Sequence, residues 1–268
     1  MRLLIVRLLF CLIVGAGSAA SAAAGDAGAS VFIEDLTWTE LRDQLAAGKT
    51  IAIVPIGGTE QNGPHMAIGK HNLRVKLLAG KIAAALGTAL VAPVLSYVPE
   101  GGLDPPAGHM RFPGTITVPE KTFEKTIEYA ARSLQVHGFR DIVFLGDHGG
   151  YQRGERAVAD RLDREWAAAS VRVHAIEEYY RAGQAEFARL LKGKGFHDEE
   201  VGTHAGLADT SLMLATDPRL VRADRLRSGE GIHGDPRHSS AELGQLGIDL
   251  IVTRTVDSVR KAVARRSP

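Results

Sequence analysis

Two short apolar runs, each leading directly into a loop rich in glycine and bearing histidine, constrain this chain more than any other feature. Residues 51–55 (IAIVP) are apolar and partly β-branched and are followed by Gly57 and Gly58; residues 141–145 (DIVFL) run straight into GDHGGYQ. Runs of this length that do not alternate with polar positions suit strands buried on both faces. Between and beyond them lie segments of helical periodicity: 72–86, with Asn72 as the expected N-cap, 123–137, stopped by Gly138, and 154–169. Further strands are expected at 89–94 and 171–176, and a short extended piece at 116–118. Strand alternating with helix predicts a three-layer α/β/α domain on a mainly parallel sheet. In such sheets ligands bind beyond the carboxyl ends of the strands, where both histidine-bearing loops begin.

The N-terminus follows other rules. Arg2 and Arg7, an apolar run at 8–14 and a small-residue tract at 15–24 form the layout of a secretory signal peptide, and the run is too short to span a bilayer comfortably. The expected organisation is a leader at 1–24 and one domain at 25–268, exported to the periplasm or secreted. Cys11, the only cysteine, lies in the leader. The mature chain then has no disulfide and no thiolate ligand, so any metal is held by His, Asp, Glu or Asn. Without Arg2 and Arg7 the 32 basic residues become 30, against 31 acidic ones. That balance gives no electrostatic case for nucleic acid or, after leader cleavage, for a membrane. The expected partner is a small molecule.

Three constellations carry potential ligands. GGTEQNGPHMAIGKHN places Glu60, Asn62, His65, His71 and Asn72 after the first strand, and a Gly/Pro-rich loop can fold back so that groups eleven residues apart converge. GDHGGYQ sets His148 beside Asp147, which could orient an imidazole; the competing reading is a plain turn with an exposed His. THAGLADTS carries His204 and Asp209, with Asp209 open to a simpler role as cap of the apolar helix at 212–215.

Together with GHMRFPGTITV, which contains His109, and GIHGDPRHSSAELG at 231–244, these segments resemble the creatininase (creatinine amidohydrolase) family from about Trp38 onward. The resemblance implies a creatininase-like α/β fold and a metal-dependent hydrolase of a small amide, cyclic amide or formamide-type C–N bond. It matches Glu60 to a carboxylate ligand, His148 to a ligand in a GHGGN-like loop, and His204 to a candidate proton shuttle. Asp209 stands where the family usually has the Glu of E-T-S. Two positions depart from the pattern: Asn62 replaces a metal-binding His, and His71 replaces an Asp that bridges two metals.

The expected metal set is therefore Glu60, His71 and His148, with Asp209 as a possible fourth ligand, His109 as a substrate contact, and Glu60 and His204 as the catalytic groups. Because an imidazole cannot bridge two cations as a carboxylate can, one divalent ion per subunit is expected, zinc ahead of manganese or iron. The resemblance also implies a homo-oligomer, possibly a hexamer. The alternative is a periplasmic binding protein that keeps the fold, and one metal or a small molecule, without turnover.

Overall fold

The computed structural model describes residues 30–265; the leader expected at 1–24 lies outside them. Helix α1 (Trp38–Ala46) opens on a capping box between Thr37 and Glu40 and leads into β1 (Ile51–Ile56). There follow α2 (Lys70–Leu86), β2 (Ala89–Val91), α3 (Glu120–Val136), β3 (Asp141–Gly146), α4 (Gln152–Glu165) and β4 (Arg172–Ala175). The C-terminal third is helical: α5 (Glu177–Arg181), α6 (Phe187–Gly193), α7 (Asp198–Val201), α8 (Leu207–Thr216) and the long α9 (Ala241–Ala264).

All four strands are parallel and stand in the order β2-β1-β3-β4. Alternate residues of each strand point to opposite faces. Ile51, Ile53, Val143 and Leu145 pack against α2, α5, α6, α8 and α9. Ala52, Val54, Ile56, Ile142 and Phe144 pack against α3 and α4. This is the three-layer arrangement expected from the alternation of elements. The chain steps from β1 to β2 in one direction and from β2 across to β3 in the other; with crossovers of one hand, α2 and α3 must then cover opposite faces. The reversal opens a crevice beyond the ends of β1 and β3, the usual ligand position in such a sheet. Ile56 pairs with Gly146, so the two loops leave the sheet at the same height.

Several boundaries differ from expectation. Strand β2 is three residues long, and α4 runs from 152 rather than 154 and ends at 165. Asn72 is not an N-cap: α2 begins two residues earlier, after Gly69, and Asn72 Oδ1 accepts the Gly58 N–H at 2.9 Å. Its side chain is spent on pinning the loop after β1, a long-range partner that helix-start patterns do not reveal. Gly138, at φ 101, follows the C-cap of α3 as expected. Among the described residues no helix is long and apolar enough to cross a membrane.

Candidate metal centre

The loop after β1 folds back on itself. Glu60 N–H donates to Ile68 O at 3.1 Å, and Asn62 Nδ2 donates to Glu60 O and Ala67 O at 2.9 and 3.1 Å. Those bonds bring Glu60 beside the first turn of α2. Asn62 Nδ2 thus braces the loop through main-chain carbonyls, while its Oδ1 is buried without a hydrogen-bond partner. His65 is also spent structurally, with Nε2 3.0 Å from Thr210 Oγ1.

Glu60 is fully buried at the centre of four histidines. Its Oε1 lies 2.7 Å from His71 Nε2 and 3.6 Å from His204 Nδ1; its Oε2 lies 3.1 Å from His109 Nε2 and 3.7 Å from His148 Nε2. Two groups have ligand atoms mutually within 4.8 Å: Glu60, His71 and His148, and Glu60, His109 and His204. The structure therefore brings together the three ligands named from sequence. It also adds His109, expected only as a substrate contact, to the circle.

Asp147 orients His71 rather than His148. His71 Nδ1 lies 2.6 Å from Asp147 Oδ2, and the same carboxylate accepts from Arg74 Nε at 2.9 Å and from Tyr179 OH at 2.7 Å. A carboxylate on one imidazole nitrogen turns the other toward a cation, the usual support of a metal-binding His. Burial opposes charge on Asp147, but Arg74 and His71 hold its carboxyl below the usual range.

Asp209 has other work. Its Oδ2 accepts from Lys70 Nζ at 2.9 Å and from Ala205 N–H at 3.0 Å, and its Oδ1 accepts from Arg74 Nη1 at 2.8 Å. It belongs to neither ligand group. Nor does it cap α8, whose N-cap is Gly206 without a side-chain bond. Two buried cations and a backbone amide already occupy three of the roughly four acceptor positions of its carboxylate. Ala205 sits at φ 53, a costly conformation for a residue with a Cβ, and Asp209 clamps it. That turn aims His204.

His204 Nε2 lies 3.0 Å from the Gln61 carbonyl oxygen. Nε2 also lies 3.1 Å from Gln61 Nε2; in the tautomer that donates to the carbonyl, the Nδ1 lone pair faces Glu60. Burial, with Lys70 nearby, pushes His204 down to about 3, so the ring is neutral at physiological pH. Burial and then His71 push His148 down to about 4. Glu60 goes the other way: burial favours its protonated form, but Lys70 and His71 outweigh that and hold it well below the ordinary carboxylate range.

Sequence reasoning passed over Lys70, Gln61, Arg74 and Glu100. Lys70 is fully buried, its ammonium 3.4 Å from Glu60 Oε1. A signal was present, since a Lys at the first position of a helix opposes the helix dipole. Gln61 Nε2 donates to Gly231 O at 3.0 Å and lies 3.0 Å from His109 Nδ1. Its side chain borders a cleft of about 310 Å³, lined also by His109, Arg111, Phe112, Glu230 and His233, a size suited to a small ligand. A larger cleft of about 530 Å³ between β4, α5 and α9 contains none of the four histidines around Glu60.

The donors fit a divalent cation. Glu60 Oε2 is buried and has no hydrogen-bond partner, and a carboxylate with two imidazoles is a recognised catalytic metal set. The family model described as creatininase, creatinine amidohydrolase, matches residues 34–259. The chain belongs to the creatininase family. It shares 27% identity over 258 residues with the creatinine amidohydrolase of Pseudomonas putida, covering 87% of this chain and 97% of that protein. A mycofactocin precursor peptide peptidase of Mycolicibacterium smegmatis is 27% identical over 240 residues, 83% and 90% of the two chains. A crystal structure of creatininase superposes with a TM-score of 0.74 at 27% identity, covering 88% of this chain and 98% of that one. Other creatininase structures are described as a Zn-Zn type and as Mn. The chain is accordingly a hydrolase of the metal-dependent amidohydrolase class, with a divalent metal as its cofactor.

Proposed function

We propose that this creatininase-family member hydrolyses a small amide, cyclic amide or formamide-type C–N bond at a mononuclear centre held by Glu60, His71 and His148. One observation carries the reading: at the strand-order reversal, two imidazoles and a buried carboxylate with an unpartnered oxygen converge within 4.8 Å. A divalent ion there supplies Lewis acidity toward a carbonyl oxygen and lowers the pKa of water.

The remaining work falls to the chain's own groups. His204 Nδ1 takes a proton from the attacking water and returns it to the leaving nitrogen, while the Gln61 carbonyl holds its Nε2–H. Asp147 keeps the proton of His71 on Nδ1. The cleft beside His109 and Gln61 receives the substrate. Lys70 and Arg74 neutralise Asp209, and Asn62 offers only a neutral amide oxygen, which favours one ion per chain over two. Zinc suits the donors, ahead of manganese or iron. Export through the leader and assembly into a homo-oligomer complete the proposal; the layout of residues 1–24 supports the first and the family resemblance the second.

Elemental analysis after exhaustive dialysis against a weak chelator, beside release of ammonia or amine from a panel of amides, tests it. One retained ion and measurable release are expected. His204→Ala should lower turnover by about 10²–10⁴ and keep the ion, whereas His148→Ala should lose both. Two retained ions would defeat the mononuclear reading, and metal without any release would favour a binding protein.

A further inference from the structure

Glu100 falls in none of the sequence segments that pointed to the site, yet its side chain ends there. It is fully buried, and neither carboxyl oxygen has a hydrogen-bond partner. Its Oε2 lies 3.6 Å from His148 Nε2, which in turn lies 3.7 Å from Glu60 Oε2. One imidazole nitrogen thus stands between two buried acids, three of whose four oxygens are unpartnered.

The position is built. Glu100 N–H donates to Thr117 Oγ1 at 3.0 Å, and Val98 bridges to Thr117 alongside, which fixes the backbone. Across the site Gly58 adopts φ 154, and a Cβ there would lie 2.3 Å from Glu100 Oε1. A side chain at Gly58 would push the carboxyl out of its present position. Two adjacent acids can share a proton, but neither gives the other a cation, and buried carboxyl oxygens without partners call for an explanation.

The distances supply one. Separations of 3.6 and 3.7 Å are too long for hydrogen bonds. They are close to the edge of a coordination tetrahedron, about 3.4 Å for metal–ligand bonds of about 2.0–2.2 Å. We propose that Glu100 is a further ligand of the ion held by Glu60, His71 and His148. The resulting set of two carboxylates and two imidazoles balances the charge of a divalent cation. The proposal rests on the mononuclear reading above and adds to it a residue from a different segment of the chain.

Zinc binding to the metal-free full-length protein, measured by competition with a chromophoric chelator, tests it in wild type, Glu100→Gln and Glu100→Ala. Cobalt absorption spectra and thermal melts accompany each. Both variants should bind zinc at least about 10–100-fold more weakly, with an altered cobalt spectrum. Their metal-free melting temperatures should be no lower than wild type, since an unpaired acid has been removed. Zinc affinity within twofold of wild type and an unchanged cobalt spectrum would overturn the assignment while leaving the three-residue site standing. A wild-type protein that binds no zinc would overturn both readings.

Discussion

Replacing Lys70 by methionine removes a buried cation while keeping most of its volume. In the native protein the ammonium lies 2.9 Å from Asp209 Oδ2 and 3.4 Å from Glu60 Oε1, and all three groups are buried. Removing one partner of a buried ion pair typically costs about 3–5 kcal/mol, because the other charge is left uncompensated. Asp209 keeps Arg74 Nη1 at 2.8 Å, so Glu60 is the group left short, and the lower figure applies. At about 2–4 °C per kcal/mol for a domain of this size, a loss of about 3 kcal/mol lowers the melting temperature by about 6–12 °C. A divalent ion gives Glu60 a replacement partner. The stabilisation on adding zinc should therefore be larger in Lys70→Met than in wild type; binding at a hundredfold excess over Kd contributes about 2.7 kcal/mol. Circular dichroism melts with and without zinc, paired with elemental analysis, measure both effects. A metal-free variant melting within about 1 °C of wild type would show that Lys70 does not neutralise these acids.

The buried imidazoles set a pH dependence. His148 and His204 are pushed down to about 4 and about 3, from an ordinary value of 6.5, so below pH 6.5 the unfolded chain binds protons that the folded chain refuses. The metal-free protein should lose stability steadily as pH falls from 6.5 toward 4; a flat melting profile over that window would contradict the burial of neutral rings. Asp147 and Asp209 are held below their ordinary value of 3.8, so their contribution is complete above that pH and is lost progressively as pH falls below it through their lowered folded values. For the leader, mass spectrometry of protein from the native host should find an N-terminus near residues 22–25, and an intact Met1 in most molecules would refute export. Light scattering of the mature chain should report a homo-oligomer, and a monomer would count against that assembly.

The layer architecture was legible because it depends on local patterns. Residues 51–55 and 142–145 are apolar throughout, which is what burial on both faces of a parallel sheet requires. Glycine and histidine clusters directly after them marked the strand ends where a site would form. Glu60 and His148 could be named as candidates because they lie just beyond the ends of β1 and β3, and His71 because it closes the same histidine-bearing segment that follows β1.

Tertiary contacts decided the rest. Asn72 looked like a cap and became a brace for Gly58, because its partner lies fourteen positions away. Asp209, read as a ligand or a cap, is held by the nearby Ala205 amide and by Lys70 and Arg74, which meet it only when α2 packs against α8. Glu100 entered the site from a segment with no ligand pattern, through a space that Gly58 leaves open. Periodicity along a chain reports which faces are buried. Which charge neutralises which is set by distances between elements far apart in sequence, and those exist only after the sheet and its helices have closed around them.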